Sequence, residues 1–257
     1  MRSTFSQRRH RLSVGLVTTA AAALVAAMTA PAAYGESGAW SLGYDDGNIA
    51  RPGQQITNTD TTELKFTGKY NGAPATVQCS IDPGSFSYDV PDPVPADVPG
   101  GSISLDIAPP TTIGGADDEN GRCTESVSGN VVELTIPSGT QWTLTVNLPD
   151  ATSPGPWTSG LGGSLHVPQG TVTVTSTFLP GAGNTPPCVI SGPTDSGGLT
   201  VDGDYDPGTG AMTPTGNPSF GLDTSQCPQV ATSPTLQDAT VTLAGPNGAT
   251  PTVVYQS

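Results

Sequence analysis

The chain has 257 residues, of which 33 are glycine and 26 proline; 34% are hydrophobic, 12% are charged, and 22 acids stand against 8 bases. That composition borders on the range of disordered segments. It excludes a long helical bundle, a membrane channel and a nucleic-acid binder, whose phosphates would meet a net charge of −14.

The first element in the chain is a leader. Residues Met1 to Arg11 carry Arg2, Arg8, Arg9 and Arg11, Leu12 to Ala30 is uncharged and Ala-rich, and small residues run on to Gly35. Basic, apolar and A-x-A-like regions in that order predict a secretory signal peptide over 1–35. The apolar run is Ala- and Thr-rich and ends at Pro31, which argues against a membrane anchor. Arg8-Arg9 leaves twin-arginine export open, although His10-Arg11 follows where an apolar pair is usual and so favours the general route. No cysteine marks a lipoprotein, and Thr252 to Ser257 offers no hydrophobic tail. The protein is therefore expected to be secreted, extracellular or loosely bound to the cell wall, with no membrane insertion after processing. Beyond the leader only Arg51, Lys65, Lys69 and Arg122 oppose all 22 acids, so the mature charge is −18. The acids are scattered, which suits solubility outside the cell.

The mature chain predicts strands throughout. Apolar residues alternate at Leu64/Phe66, Phe86/Tyr88/Val90, Ile103/Leu105/Ile107, Val132/Leu134/Ile136, Trp142/Leu144/Val146/Leu148 and Ala239/Val241/Leu243. From Thr171 to Phe178 one face carries Val172, Val174 and Phe178, and threonine fills much of the other. Period two with β-branched residues is the mark of half-buried antiparallel strands. Turns such as Asp82-Pro83-Gly84, Asp206-Pro207-Gly208 and Gly245-Pro246-Asn247-Gly248 separate them. The fold class is all-β, an antiparallel β-sandwich, immunoglobulin-like only in the general sense. A Pro-rich run from Val90 to Pro99 predicts a loop.

All four cysteines, Cys79, Cys123, Cys188 and Cys227, lie beyond the leader. An even count in an oxidising compartment predicts two disulfides, with three possible connectivities. Cys79–Cys123 with Cys188–Cys227 is preferred, because each pair would staple one half of the chain. Zinc is disfavoured, since no C-x-x-C occurs and His166 is the single histidine after the leader. The Pro/Gly-rich stretch 149–163 predicts a linker between two lobes, 36–148 and 164–257. The rival arrangement is one larger sandwich whose sheets draw strands from both halves, with that stretch as a crossover.

Three sequence runs carry a resemblance. Thr76-Val77-Gln78-Cys79, then Cys123, then Gly139-Thr140-Gln141-Trp142 form the first; Pro187-Cys188-Val189-Ile190 and Val201-Asp202-Gly203-Asp204-Tyr205-Asp206-Pro207 with Cys227 form the others. In these the chain resembles exported actinobacterial all-β proteins with two cysteine pairs, a group without an established activity. The resemblance implies a secreted β-architecture with two disulfides and carries over no catalytic residue. The order of cysteine and tryptophan departs from true immunoglobulin domains, where the core tryptophan lies between the paired cysteines.

Four constellations bear on chemistry. Asp195-Ser196-Gly197-Gly198 is similar to the nucleophile loop of trypsin-like proteases, but Thr194 replaces the preceding glycine and His166 lacks that family's context. Ser164 and His166 share a strand face with no third group to activate them. Asp202, Asp204 and Asp206 have the spacing of an opening calcium loop, yet Pro207 and Thr213 stand where glycine and a bidentate glutamate belong. The same residues also fit a strand from Leu199 to Tyr205 with its aspartates on the outer face, a Pro-Gly turn, and a return strand through Met212. Asp117-Asp118-Glu119 is a second acidic patch. Among the aromatics Trp40, Tyr44, Tyr70 and Trp157, the last is the best placed to stack on a sugar ring. The expected function is a secreted, non-enzymatic structural or interaction module of the bacterial surface, with a cell-envelope or extracellular protein or glycan as partner. No catalytic residue is assigned. A polysaccharide- or calcium-binding module and an unrecognised secreted hydrolase are the alternatives.

Overall fold

The computed structural model describes residues 38–113, 123–125, 131–177, 188–227, 230 and 233–256. The expected signal peptide, the acidic patch at Asp117, Asp118 and Glu119, Arg122 and Phe178 lie outside the described residues. The described residues cluster as one compact unit.

The chain is extended where the sequence alternates. The first half contains β1 (Ala39–Tyr44), β2 (Gln55–Asn58), β3 (Thr62–Tyr70), β4 (Ala73–Ile81), β5 (Ser87–Asp89), β6 (Ala96–Asp97) and β7 (Ser102–Ile107). It continues with β8 (Thr112–Ile113), β9 (Cys123–Glu125), β10 (Val131–Thr135) and β11 (Trp142–Asn147). Then follow β12 (Gly155–Pro156), β13 (Leu161–Val167), β14 (Val172–Thr177), β15 (Cys188–Gly192) and β16 (Leu199–Asp206). The last strands are β17 (Ala211–Pro214), β18 (Thr235–Asp238), β19 (Val241–Ala244) and β20 (Pro251–Gln256). On β7 the alternation reads out directly: Ile103, Leu105 and Ile107 are buried while Ser102, Ser104 and Asp106 are exposed.

Every strand pair is antiparallel. One sheet runs β15-β14-β10-β9-β4-β3-β18 with β8 also on β10, a second runs β5-β2-β19-β17-β16-β13-β11-β7, and a third of four strands runs β12-β20-β1-β6. Eight chain segments pass from one eight-stranded sheet to the other: β2 to β3, β4 to β5, β7 to β8, β10 to β11, β13 to β14, β15 to β16, β17 to β18 and β18 to β19. Strands that switch sheets at a corner are the device of near-orthogonal packing. Proline and glycine make most of these corners, as in Pro137-Ser138-Gly139 and Pro168-Gln169-Gly170. Gly139 and Gly170 have φ of 80° and 67°, which a side chain would disfavour. The ends of the second sheet meet where Ser87 and Ala108 exchange backbone hydrogen bonds of 3.3 and 2.9 Å. The eight strands thereby form a closed ring.

One corner is held by a buried side chain. Asn58 is 1% exposed; its Oδ1 accepts from Phe86 N–H at 3.0 Å, and its Nδ2 donates to the carbonyls of Asp60 and Asp82 at 3.1 and 3.0 Å. A polar group taken from water needs such partners, and here they join the β2–β3 corner to the β4–β5 corner.

Cys79 is bonded to Cys123 and Cys188 to Cys227, and all four are buried. Val77 faces Glu125 and Gln78 faces Thr124 across β4 and β9, so the next register position sets the first two cysteines opposite each other. The boundary expected at 149–163 does not divide the strands into two groups. β11 pairs with β13, β10 with β14 and β1 with β20, and one apolar cluster contains Ile56, Ile107, Val167, Leu243 and Val253. The supposed linker is itself tied down, since β12 pairs with β20, Trp157 N–H donates to Val253 O at 2.9 Å, and Trp40 Nε1 donates to Ala151 O at 3.0 Å. Proline and glycine lowered its apolar content without releasing its backbone.

Candidate functional site

The residues singled out from the sequence gather on the outer face of the ring. β16 alternates between half-buried and exposed positions, with Val201, Gly203 and Tyr205 on one side and Asp202, Asp204 and Asp206 exposed on the other. The strand, turn and return strand match the alternative weighed against a calcium loop. Register then builds rungs across the sheet. Asp202 lies opposite Ser164, Ser164 opposite Thr145, and Thr145 opposite Ser104, whose hydroxyl is 3.5 Å from that of Thr145. The next rung is Thr200, His166, Thr143 and Asp106. Neighbouring strands lie about 4.8 Å apart and alternate residues about 6.7 Å apart, so the face is a grid of hydroxyls, carboxylates and one imidazole.

The three aspartates do not converge. Asp206 is committed to the turn after β16, where its carboxylate accepts from Gly208 N–H at 2.9 Å and Thr209 Oγ1 at 3.0 Å. Asp202 and Asp204 follow one another along the strand, and no group of three or more His, Cys, Asp or Glu side chains is placed to hold a metal among the described residues. A calcium loop must wrap its ligands around one centre; a straight strand spreads them.

His166 is half-buried and lies next to the loop that contains Ser196. A Cβ placed on Gly198 would come within 2.9 Å of His166 Cε1 and 2.4 Å of Val167 O, so the glycine packs against the imidazole. The loop itself is a tight turn, closed by Gly198 N–H to Asp195 O at 2.8 Å. Two motifs far apart in the sequence are therefore neighbours. No hydrogen bond joins Ser196 to His166 among the described residues.

The aromatic platform is not assembled. Trp40 is 0% exposed and Tyr44 5%, and Trp157 is half-buried with its ring edge-on to Trp40 at a centroid distance of 5.6 Å. Tyr255 lies 5.2 Å from Trp40 on the other side. Trp157, directly after β12, therefore works as a packing residue against Trp40 of β1 in the third sheet. Tyr205 donates its hydroxyl to Pro251 O, and burial, then the charges of Asp206 and Asp45, push its pKa well above the ordinary tyrosine value.

Sequence reasoning missed a pair of facing glycines. Gly163 on β13 and Gly203 on β16 are register partners, at positions that alternate with Ser164 and Asp202. A Cβ on Gly163 would meet Thr145 O at 2.4 Å, and one on Gly203 would meet Thr213 O at 2.9 Å. Glycine there lets four neighbouring backbones crowd together and the sheet curl. The signal was legible as Gly162-Gly163 inside an otherwise apolar-polar run. No family model matches the sequence, and neither curated proteins nor solved structures provide a match.

Proposed function

We propose that the protein is an exported, non-enzymatic β-sandwich module, immunoglobulin-like only in the general sense, that acts as an interaction surface outside a bacterial cell. Two buried disulfides support an oxidising location. The observation that carries the reading is the polar grid on β7, β11, β13 and β16. Ser164, His166, Thr200, Asp202 and Asp204 make no side-chain hydrogen bond to the rest of the described residues, which leaves their donors and acceptors open to a partner. Hydrogen-bonding groups fixed by strand register recognise a repeating partner at low entropic cost. The test is capture of native cell-envelope and secreted material by the mature protein and by the double variant Ser164→Arg/Asp202→Arg. Material retained by the first and lost by the second supports the reading; equal capture by both overturns it.

Two further readings have specific support. The same grid suits a polysaccharide, and co-sedimentation with peptidoglycan or chitin tests it; a calcium-binding version requires the melting temperature to rise in millimolar calcium. A secreted hydrolase draws on the packing of Gly198 against His166 beside Ser196. Activity on an esterase, protease and glycosidase panel, abolished by Ser196→Ala or His166→Ala, would establish that reading in place of the first.

A further inference from the structure

The interior of the ring holds space that its side chains do not fill. A cavity of about 160 Å³ lies among Tyr88, Leu105, Trp142, Leu144, Val167 and Val241. A smaller one, of about 130 Å³, shares Phe66, Leu134, Val172 and Phe220 with it, so an apolar wall bounds the larger cavity on that side. An apolar void of about 150 Å³ stays dry and takes up apolar guests. Part of the hollow lies where two facing strands put no side chain inward. Gly163 and Gly203 are register partners, and the space also reaches Gly162, Ser164, Asp202 and Asp204 beside them. Asp202 and Asp204, the only charged residues among those described in the wall, are exposed on the outer face of β16. Strand alternation turns their carboxylates away, so only their main chain borders the interior. An eight-stranded ring is wide enough either to be filled by its own side chains or to hold one small ligand.

Two hydrogen-bond donors in that wall have no partner. Tyr88 is 4% exposed, and its hydroxyl makes no hydrogen bond to any of the described residues. Trp142 is 8% exposed, and its buried indole N–H is likewise unpartnered. Tyr205 lines the same cavity but donates to Pro251 O, so the fold satisfies one phenol there and leaves the other open. Buried polar groups are normally paired, and each exception calls for an explanation. Burial, then the neighbouring Tyr205 and Tyr44, raises the Tyr88 pKa well above the ordinary 10.0, so the hydroxyl keeps its proton and remains a donor. A charged guest would be stranded in this wall without a counter-charge. An uncharged guest with an acceptor oxygen would supply what Tyr88 lacks.

We propose that the ring interior is a binding site for a compact, uncharged molecule with an apolar body and one carbonyl oxygen, of the cyclic ketone or lactone class, the oxygen accepting from the Tyr88 hydroxyl. The apolar body takes the space left by Gly163 and Gly203. This site is inside the ring and independent of the polar grid on its outer face.

The experiment titrates the mature, oxidised, isotope-labelled protein by nuclear magnetic resonance with cyclohexanone and with methylenecyclohexane, which has the same shape but no acceptor oxygen. Both should bind saturably, one to one, and shift the Trp142 indole N–H signal, assigned with Trp142→Phe. Tyr88→Phe keeps the shape of the wall and should weaken the ketone about fivefold, the worth of one net hydrogen bond, while leaving the alkene unchanged. Val167→Phe, which fills the cavity, should weaken both. In the unaltered protein the carbonyl carbon resonance of bound cyclohexanone should lie downfield of its position in hexane. Absence of saturable binding, with the cavity dry or holding water only, would overturn the proposal. So would unchanged affinities in a folded Val167→Phe protein, or an equal effect of Tyr88→Phe on ketone and alkene. If neither variant folds, the carbonyl resonance decides, and a hexane-like position overturns the site.

Discussion

Replacing Ile107 by alanine tests whether the two halves of the chain fold as one body. Ile107 sits on β7 in the first half, is 0% exposed, and belongs to the same apolar cluster as Val167, Val241 and Val253 from the second. Removing a fully buried isoleucine side chain costs about 3.5 kcal/mol, within a range of about 2–5 set by how far the site collapses. Unfolding entropy near 60 °C is about 2.1 cal/mol/K per residue, or roughly 0.46 kcal/mol/K for a unit of about 220 residues. The ratio predicts a fall in melting temperature of about 8 °C, and of no less than about 4 °C. Calorimetry on the mature protein should show one transition that moves as a whole, with calorimetric and van't Hoff enthalpies in agreement. Val98→Ala, at a position 55% exposed, is the control and should leave the transition in place. Two transitions, only one of which responds to Ile107→Ala, would refute the shared core.

The glycine pair gives a matched comparison: Gly163→Ala should cost more than about 2 kcal/mol because its Cβ would lie 2.4 Å from Thr145 O, whereas Gly162→Ala, with Asn147 Nδ2 nearest at 3.5 Å, should be neutral or slightly stabilising in urea titrations. Asn58→Ala should lose about 3 kcal/mol by the same measure, because it strands Phe86 N–H and the carbonyls of Asp60 and Asp82 in a buried corner. Replacing both Cys188 and Cys227 by alanine should lower stability by about 4 kcal/mol in the chain-entropy model, given their separation of 39 residues. Burial raises the pKa values of Tyr44, Tyr88 and Tyr205 above the ordinary value of 10.0. The folded state thus holds its phenolic protons more tightly than the unfolded chain; this stability is fully present below pH 10 and is lost as pH rises beyond it. Melting curves from pH 8 to 11.5 should therefore fall above pH 10, and Tyr205→Phe, which removes the bond to Pro251 O at a cost of about 1 kcal/mol, should make that fall shallower.

The local structure was legible wherever side chains alternate. Ile103, Leu105 and Ile107, or Trp142 and Leu144, announce both a strand and its inner face, and the structure buries them. The three aspartates of β16 were equally readable as an outer face. What alternation cannot carry is the partner of each strand, because pairing depends on contacts far apart in the chain. Hence stretch 149–163 read as a linker, although β12 within it pairs with β20. β1 was missed although Trp40, Leu42 and Tyr44 alternate with Ser41 and Gly43; what the sequence hid is that both faces are buried, Ser41 included. β20 is similar, with Pro251 to Val254 buried in succession. The approach of Gly198 to His166 and the shared wall of the two cavities arise from the corners between sheets, which no short motif encodes.

The pairing of β1 with β20 has a consequence for timing. Ala39 faces Gln256 and Tyr44 faces Pro251, so the first strand of the compact unit finds its long partner in the last strand made. Trp40, at the centre of that sheet, stays uncovered until then. Topologies dominated by such distant contacts fold slowly, since the loop between the partners must close before any contact rewards it. Until β20 is in place, the third sheet lacks the strand that joins β1 to β12, and its four strands cannot assemble.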